Sequence, residues 1–337
     1  MNRRSLFLLF SLQLCGLITL AQMPLLSPLP KTGSLSKPAD ETKFVFVLAG
    51  DNRPAHAGCP QPPTPGKIFA AVKGLNPAAA FVLWTGDTIS GKQPDESVLK
   101  AEYTEFKKIA GTAGVPVFNA PGNHEMDDAS NTPSDAMKKI YRKHMAETYG
   151  AFNYGNSRFI ALDSENEPAK TASGAAAKKP DAPGAITEKQ LKLLDKDLAD
   201  NTGKAHIVII MHHPVQPYKA QDGLDSESVK ALAKIFGKYK NISYVVSGHE
   251  HMYYNSQGDK TKVVDPPSRK DPLQPPNKPP YAPPYYLVSG GGGAPLKGLD
   301  KKNPGAFFHY IVFVVDGDTI TPALVKVHSS DPCEKKK

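Results

Sequence analysis

The chain has 337 residues, with 41 Lys and Arg against 33 Asp and Glu, a formal net charge of +8 and three cysteines. That length is ample for a sizeable core in one large domain or two small ones. Much of the positive charge sits at Arg3, Arg4 and the three C-terminal lysines, so the body is only mildly basic. Such a balance favours anionic ligands weakly and gives no reason to expect nucleic acid, which usually needs a basic groove with interleaved aromatics.

Residues 1–21 place Arg3 and Arg4 before an apolar run and end on small residues at Thr19 and Ala21, the layout of a cleavable secretory signal. Gln13, Gly16 and Thr19 interrupt a run already short of the ~20 apolar residues a membrane span requires. The mature chain is therefore expected to begin near Gln22 as a secreted or periplasmic protein with no stable membrane anchor. Cys59 and Cys333 then remain, and an oxidising compartment permits them to pair or leaves them as two free thiols. Residues 22–42, rich in Pro, Ser and Lys, read as a flexible lead-in. The main domain is expected over 43–330, with surface insertions at 165–184 and 265–284 and a tail at 331–337. The recurring prolines of the second insertion suggest an extended polyproline path.

Short β-branched or aromatic runs are expected as strands at Phe44–Ala49, Ala80–Trp84, Val115–Asn119, Phe159–Leu162, His206–Met211, Ile242–Val246, Tyr285–Val288 and Tyr310–Val315. Helical patterns cover Ser97–Ile109, Ser134–Tyr149, Thr187–Ala199 and Ser226–Tyr239, and Thr187 with Gln190 has the spacing of a capping box. The alternation argues for α/β layers.

Five of the strands end in cation-binding groups. FVFVLAGD ends in Asp51, AFVLWTGD in Asp87, VPVFNAPGNH in Asn123 and His124, HIVIIMHH in His212 and His213, and ISYVVSGHEH in His249 and His251. The carboxyl ends of strands in layered α/β folds gather at one edge, so these groups can converge although two hundred residues separate them. Gly50, Gly86, Gly122 and Gly248 each stand directly before a polar residue, where glycine tolerates the tight or positive-φ turn into a crowded centre. A single Gly-Asp after a strand is usually only a turn former. Five such ends in this order carry far more weight.

The motifs GDNR, GD, GNHE, HHP and GHEH resemble, in that order, those of the calcineurin-like metallophosphoesterases, which include purple acid phosphatases and cyclic nucleotide phosphodiesterases. The likeness spans nearly all of the mature chain, and YLVSGGGGAP resembles the family's glycine-rich loop. It implies a four-layer αββα sandwich of two mixed β-sheets flanked by helices, with metals at one edge. It also implies that Asp51 and His251 hold one metal, that Asn123, His212 and His249 hold a second, and that Asp87 bridges them. Oxygen and imidazole ligands of this kind suit Fe, Mn or Zn, as two divalent or trivalent ions. Such a dinuclear site is expected to attack a small phosphorylated substrate with a metal-bridging hydroxide. His124 lies where the family's proton donor sits, the alternative being a hydrogen-bond partner behind the ligands.

The pattern breaks at position 53, where the family has a histidine and this chain has Arg53, a side chain that cannot ligate a cation. Purple acid phosphatases place a tyrosine three residues after the bridging aspartate, and here that position is Ser90. Water could complete the first site, or His56 could swing in. Arg53 could clamp phosphate oxygens or form a structural salt bridge. Trp84 could stack on a nucleobase or fill the core, and His213 could face the substrate, although Pro214 beside it suggests that the segment is set mainly to aim His212. Residues 290–293 lack the GKS or GKT of a P-loop and read as a close backbone approach. Hydrolysis of a phosphomonoester comes first and of a cyclic or linear phosphodiester second. The alternative is a degenerate, non-catalytic metal- or phosphate-binding protein on the same fold. No oligomeric state follows from the sequence.

Overall fold

The computed structural model describes residues 22–93, 95–166, 182–257, 263–264, 283–297 and 304–329. The expected signal, the tail and most of both insertions lie outside them. Among the described residues, no helix is long and apolar enough to cross a membrane.

One six-stranded sheet is built from β1 (Lys43–Ala49), β2 (Ala79–Trp84), β3 (Val117–Asn119), β9 (Val263–Val264), β11 (His309–Asp316) and β12 (Thr319–Lys326), in the order β3-β2-β1-β11-β12-β9. The other contains β4 (Gly150–Tyr154), β5 (Ser157–Ala161), β6 (His206–Ile210), β7 (Ile242–Ser247), β8 (Tyr253–Asn255) and β10 (Tyr285–Ser289), in the order β4-β5-β6-β7-β10-β8. Both sheets are mixed. β1, β2 and β3 run parallel while β11 opposes β1; β5, β6, β7 and β10 run parallel while β4 and β8 oppose their neighbours.

Side-chain alternation along each strand separates three cores. In β1, Phe44, Phe46 and Leu48 face the second sheet, where Phe81, Phe118, Phe152, Phe159 and Phe313 join them. Val45, Val47 and Ala49 face the other way, onto α1 (Pro63–Lys73), α2 (Glu96–Ala110) and α4 (Asp135–His144). In β6, Val208 and Ile210 enter the inter-sheet core, whereas Ile207 and Ile209 pack beneath α5 (Glu188–Asp200) and α6 (Ser226–Phe236). The result is the expected four-layer sandwich of two mixed sheets flanked by helices.

Several sequence expectations need correction. The segment 22–42 is not a loose lead-in. The Leu26 amide donates to the Ala151 carbonyl of β4 at 3.1 Å, the Ala151 amide donates to the Pro24 carbonyl at 2.8 Å, and the Leu29 amide donates to Val117 of β3 at 2.7 Å. These strands are the outer edges of the two sheets, so the segment covers unpaired backbone and buries Met23, Leu26 and Leu29. Helix α1 went unread because prolines 63 and 65 look like breakers, yet both lie in the first turn, where the missing N–H costs nothing. Pro322 likewise hid β12; it lies in the stretch of the strand that pairs only with β11. The capping box at α5 is half made: the Gln190 amide donates to Thr187 Oγ1, but the Gln190 side chain clamps Asp163 instead.

Candidate metal centre

The carboxyl ends of β1, β2, β6 and β7 meet at one edge, and there the structure brings together all six residues expected as ligands. Asp51, Asp87 and His212 can present one ligand atom each, all within 4.8 Å of one another, and all three are buried. His212 Nε2 lies 3.4 Å from Asp87 Oδ1, 3.2 Å from Asn123 Oδ1 and 3.2 Å from His249 Nδ1. His251 Nε2 lies 3.7 Å from Asp51 Oδ1. The expected ligands thus fall into two neighbouring groups around Asp87.

Local backbone makes this convergence possible. Asp51, Asp87, His249 and His251 all have positive φ, at 61°, 52°, 71° and 44°, so each turns sharply off its strand at a cost that side chains other than glycine rarely bear. Among the glycines before the ligands only Gly86 has positive φ, at 93°. Gly248 serves by leaving room, since a Cβ there would lie 2.1 Å from Asp51 Oδ2.

Hydrogen bonds fix which nitrogen is available in two of the rings. His212 donates Nδ1–H to the Thr85 carbonyl at 2.8 Å, and His251 donates Nδ1–H to the Pro295 carbonyl at 2.8 Å. Both Nε2 lone pairs therefore face the carboxylates, as ligation requires. Burial lowers His251 to about 3, with Arg53 adding to the effect, and lowers His212 and His249 below the usual imidazole range. All three are neutral near pH 7, the form that binds a cation. Burial and the nearby Asp87 raise Asp51; burial also opposes ionisation of Asp87, but His212, His124 and Arg53 bring it below the usual value. Two buried carboxylates facing the Nε2 lone pairs of His212 and His251 fit a cation better than they fit each other.

The remaining expected residues sit around this cluster. The His124 amide donates to Asp87 Oδ1 at 3.0 Å, while its Nδ1–H donates to the Ser90 carbonyl at 2.5 Å. Burial pushes its ring down to about 4. Arg53 Nε lies 3.7 Å from Asp87 Oδ2. His56 is exposed beside Ala57 and Cys59 rather than among the ligands. Ser90 turns its hydroxyl away to Glu102, at 2.6 Å. Trp84 is fully buried and donates Nε1–H to Asn52 at 2.8 Å, so it belongs to the core and steadies the loop after Asp51. Cys59 is disulfide-bonded; Cys333 lies outside the described residues.

Other residues support the cluster through contacts that the sequence does not reveal. Glu125, within GNHE, accepts from the amides of Asp87, Thr88 and Gly122 and from the Thr88 hydroxyl, at 3.0, 2.5, 2.7 and 2.8 Å. It ties the β2 loop to the β3 loop. His213 Nδ1 meets Glu165 Oε1 at 2.7 Å, and its ring packs on His249 with centroids 4.2 Å apart. Glu165 was expected to open a surface insertion; instead it is buried, and burial raises its carboxyl to about 8. Lys297, after the glycine-rich loop, donates Nζ–H to the His249 carbonyl at 3.3 Å and brings positive charge to the rim.

The family model described as calcineurin-like phosphoesterase matches residues 41–253, which contain every one of these candidate ligands. The chain belongs to the calcineurin-like phosphoesterase family. A curated relative, the 3',5'-cyclic adenosine monophosphate phosphodiesterase CpdA of Haemophilus influenzae, is 22% identical over 210 residues, covering 60% of this chain and 65% of the relative. The chain thus matches a little under two thirds of that protein's length. Among solved structures, a purple acid phosphatase from yellow lupin, Lupinus luteus, shares the fold with a TM-score of 0.55 at 16% identity, over 89% of this chain and 58% of that one. A dimetal phosphatase from Danio rerio aligns with a TM-score of 0.53 at 13% identity, over 85% and 99% of the two chains.

Proposed function

We propose that the chain hydrolyses phosphoric esters, phosphomonoesters first and cyclic or linear phosphodiesters second, at a dinuclear centre held by Asp51, Asp87, Asn123, His212, His249 and His251. The convergence of two buried carboxylates with neutral histidines, two of them fixed in tautomer, carries the reading. When bound, two transition metal ions supply a more acidic water as nucleophile and charge to neutralise the phosphoryl oxygens. Fe, Mn or Zn fits these donors best.

The chain's own groups then bind and orient the ester. Arg53 and Lys297 flank the cluster with positive charge and draw phosphoryl oxygens toward it. His124, held by the Ser90 carbonyl, is neutral in the free protein. An approaching phosphate anion raises its basicity, so that Nε2 can carry a proton and pass it to the leaving oxygen. The preference for monoesters rests on the GNHE and GHEH motifs, while the reaction named for the Haemophilus influenzae relative is a diester hydrolysis. Residues 1–21 are proposed as an export signal; mass measurement of the mature chain should place its start near Gln22.

The decisive experiment measures metal content per chain together with hydrolysis of aryl phosphate monoesters and diesters, for the parent and Asp87→Asn. Bound Fe, Mn or Zn, with turnover that the variant loses, is the expected result. Bound metal without turnover at any concentration of added divalent ion would leave the degenerate binding protein, a reading that Arg53 beside Asp87 favours.

A further inference from the structure

Position 53 is where this chain departs from its family, and its surroundings show what the departure does. Arg53 Nε stands 3.7 Å from Asp87 Oδ2. That nitrogen is buried with no hydrogen-bond partner, while Nη1 donates to the Pro54 carbonyl at 3.3 Å. The guanidinium is therefore held beside the shared carboxylate by charge rather than by a directed bond. It also acts electrostatically on Asp51 and His251. One fixed positive charge thus bears on all three groups of the first metal position. Lys297 does not discriminate between the positions, because it acts on Asp51, His249 and His251 alike.

We infer that Arg53 makes the two metal positions unequal. The second position, formed by Asn123, His212, His249 and Asp87, holds its ion tightly, whereas the first, formed by Asp51, His251 and Asp87, holds a readily exchanged one. The inference rests on reading the cluster as a metal centre, and two physical effects carry it. The first position has three protein ligands against four, because an imidazole has been replaced by a group with no lone pair to give. The guanidinium also repels an incoming dication at a few ångströms, which in the partly screened interior of a protein weakens binding on the order of 10- to 100-fold.

The test is ion stoichiometry, which needs no turnover. Parent, Arg53→His and Arg53→Gln proteins are stripped with chelator, titrated with manganese by calorimetry, then desalted and analysed for metal, with thermal melts to verify folding. The parent should retain one ion per chain and fill the other position only at about 10- to 100-fold higher free metal. Arg53→His, which supplies an imidazole and removes the charge, should retain two. Arg53→Gln, which removes only the charge, should tighten the weak step without matching Arg53→His. Two ions of comparable affinity in the parent would overturn the inference, as would an unchanged weak step in both folded variants. Those results leave the metal centre standing. Retention of no ion by any protein would instead refute the centre itself, and the inequality with it.

Discussion

Replacing Glu125 with Gln tests whether this carboxylate joins the two ligand loops. Its oxygens accept four donors, two on each oxygen: Asp87 and Gly122 amides on Oε2, the Thr88 amide and hydroxyl on Oε1. A glutamine keeps one acceptor oxygen and turns an NH2 toward the other pair, stranding two buried donors at about 1–3 kcal/mol each. The expected loss is about 2–6 kcal/mol, or a fall in Tm of about 5–20 °C for a domain of this size. Calorimetry with and without manganese measures it, and manganese affinity should fall about 10- to 100-fold because both Asp87 and the Asn123 turn lose their support. Burial and the charge of Asp87 push Glu125 up to about 8, so the effect should be largest in the metal-loaded protein, where that charge is neutralised. A Glu125→Gln protein with unchanged Tm and metal affinity in both states would mean that the carboxyl carries a proton, and the four-donor account would fail.

Asp87→Asn should cost activity on the order of 100-fold or more and reduce bound metal; full metal content by elemental analysis would contradict its place between the two groups. Leu29→Ala, in the segment that caps both sheet edges, should destabilise by about 2–5 kcal/mol in urea unfolding, whereas a truly loose segment would give no change. Gly248→Ala drives a methyl into Asp51 and should abolish metal binding while circular dichroism stays near that of the parent; retained binding would show that the loop can yield. His309 is buried, donates Nδ1–H to Phe307 and receives the Ser289 hydroxyl on Nε2, and burial lowers it from 6.5 to about 4. The unfolded chain therefore takes up its proton first, so this residue's contribution is constant above pH 6.5 and falls by about 3 kcal/mol as pH drops to about 4. Urea midpoints across that range should flatten in His309→Gln, and an identical slope would count against the assignment.

The convergence of these residues was legible because each ends an apolar run, and runs buried on both faces leave few places for Asp51, Asp87, His212 or His249 to go except the sheet edge. Residue type and chain order suffice for that. What lay hidden depends on distant contact. Nothing local to Glu125 reveals that it accepts amides from two loops, and Lys297 follows a glycine-rich loop with no mark of its reach to His249. The Pro-rich character of 22–42 suggested looseness, but backbone exposed along β3 and β4 supplied partners that composition does not encode. The same limit hid α1 and β12, where proline position mattered more than proline presence.

The left-handed backbone at Asp51, Asp87, His249 and His251 sets stability against function. Each such residue forgoes roughly 1–2 kcal/mol that a glycine at the same position would recover. Under selection for heat resistance alone, these four positions would be among the most rewarding to change, and the protein would gain stability by erasing its own chemistry. Side chains held against the preference of the backbone mark this edge, rather than the sheets behind it, as the place where function outweighs stability.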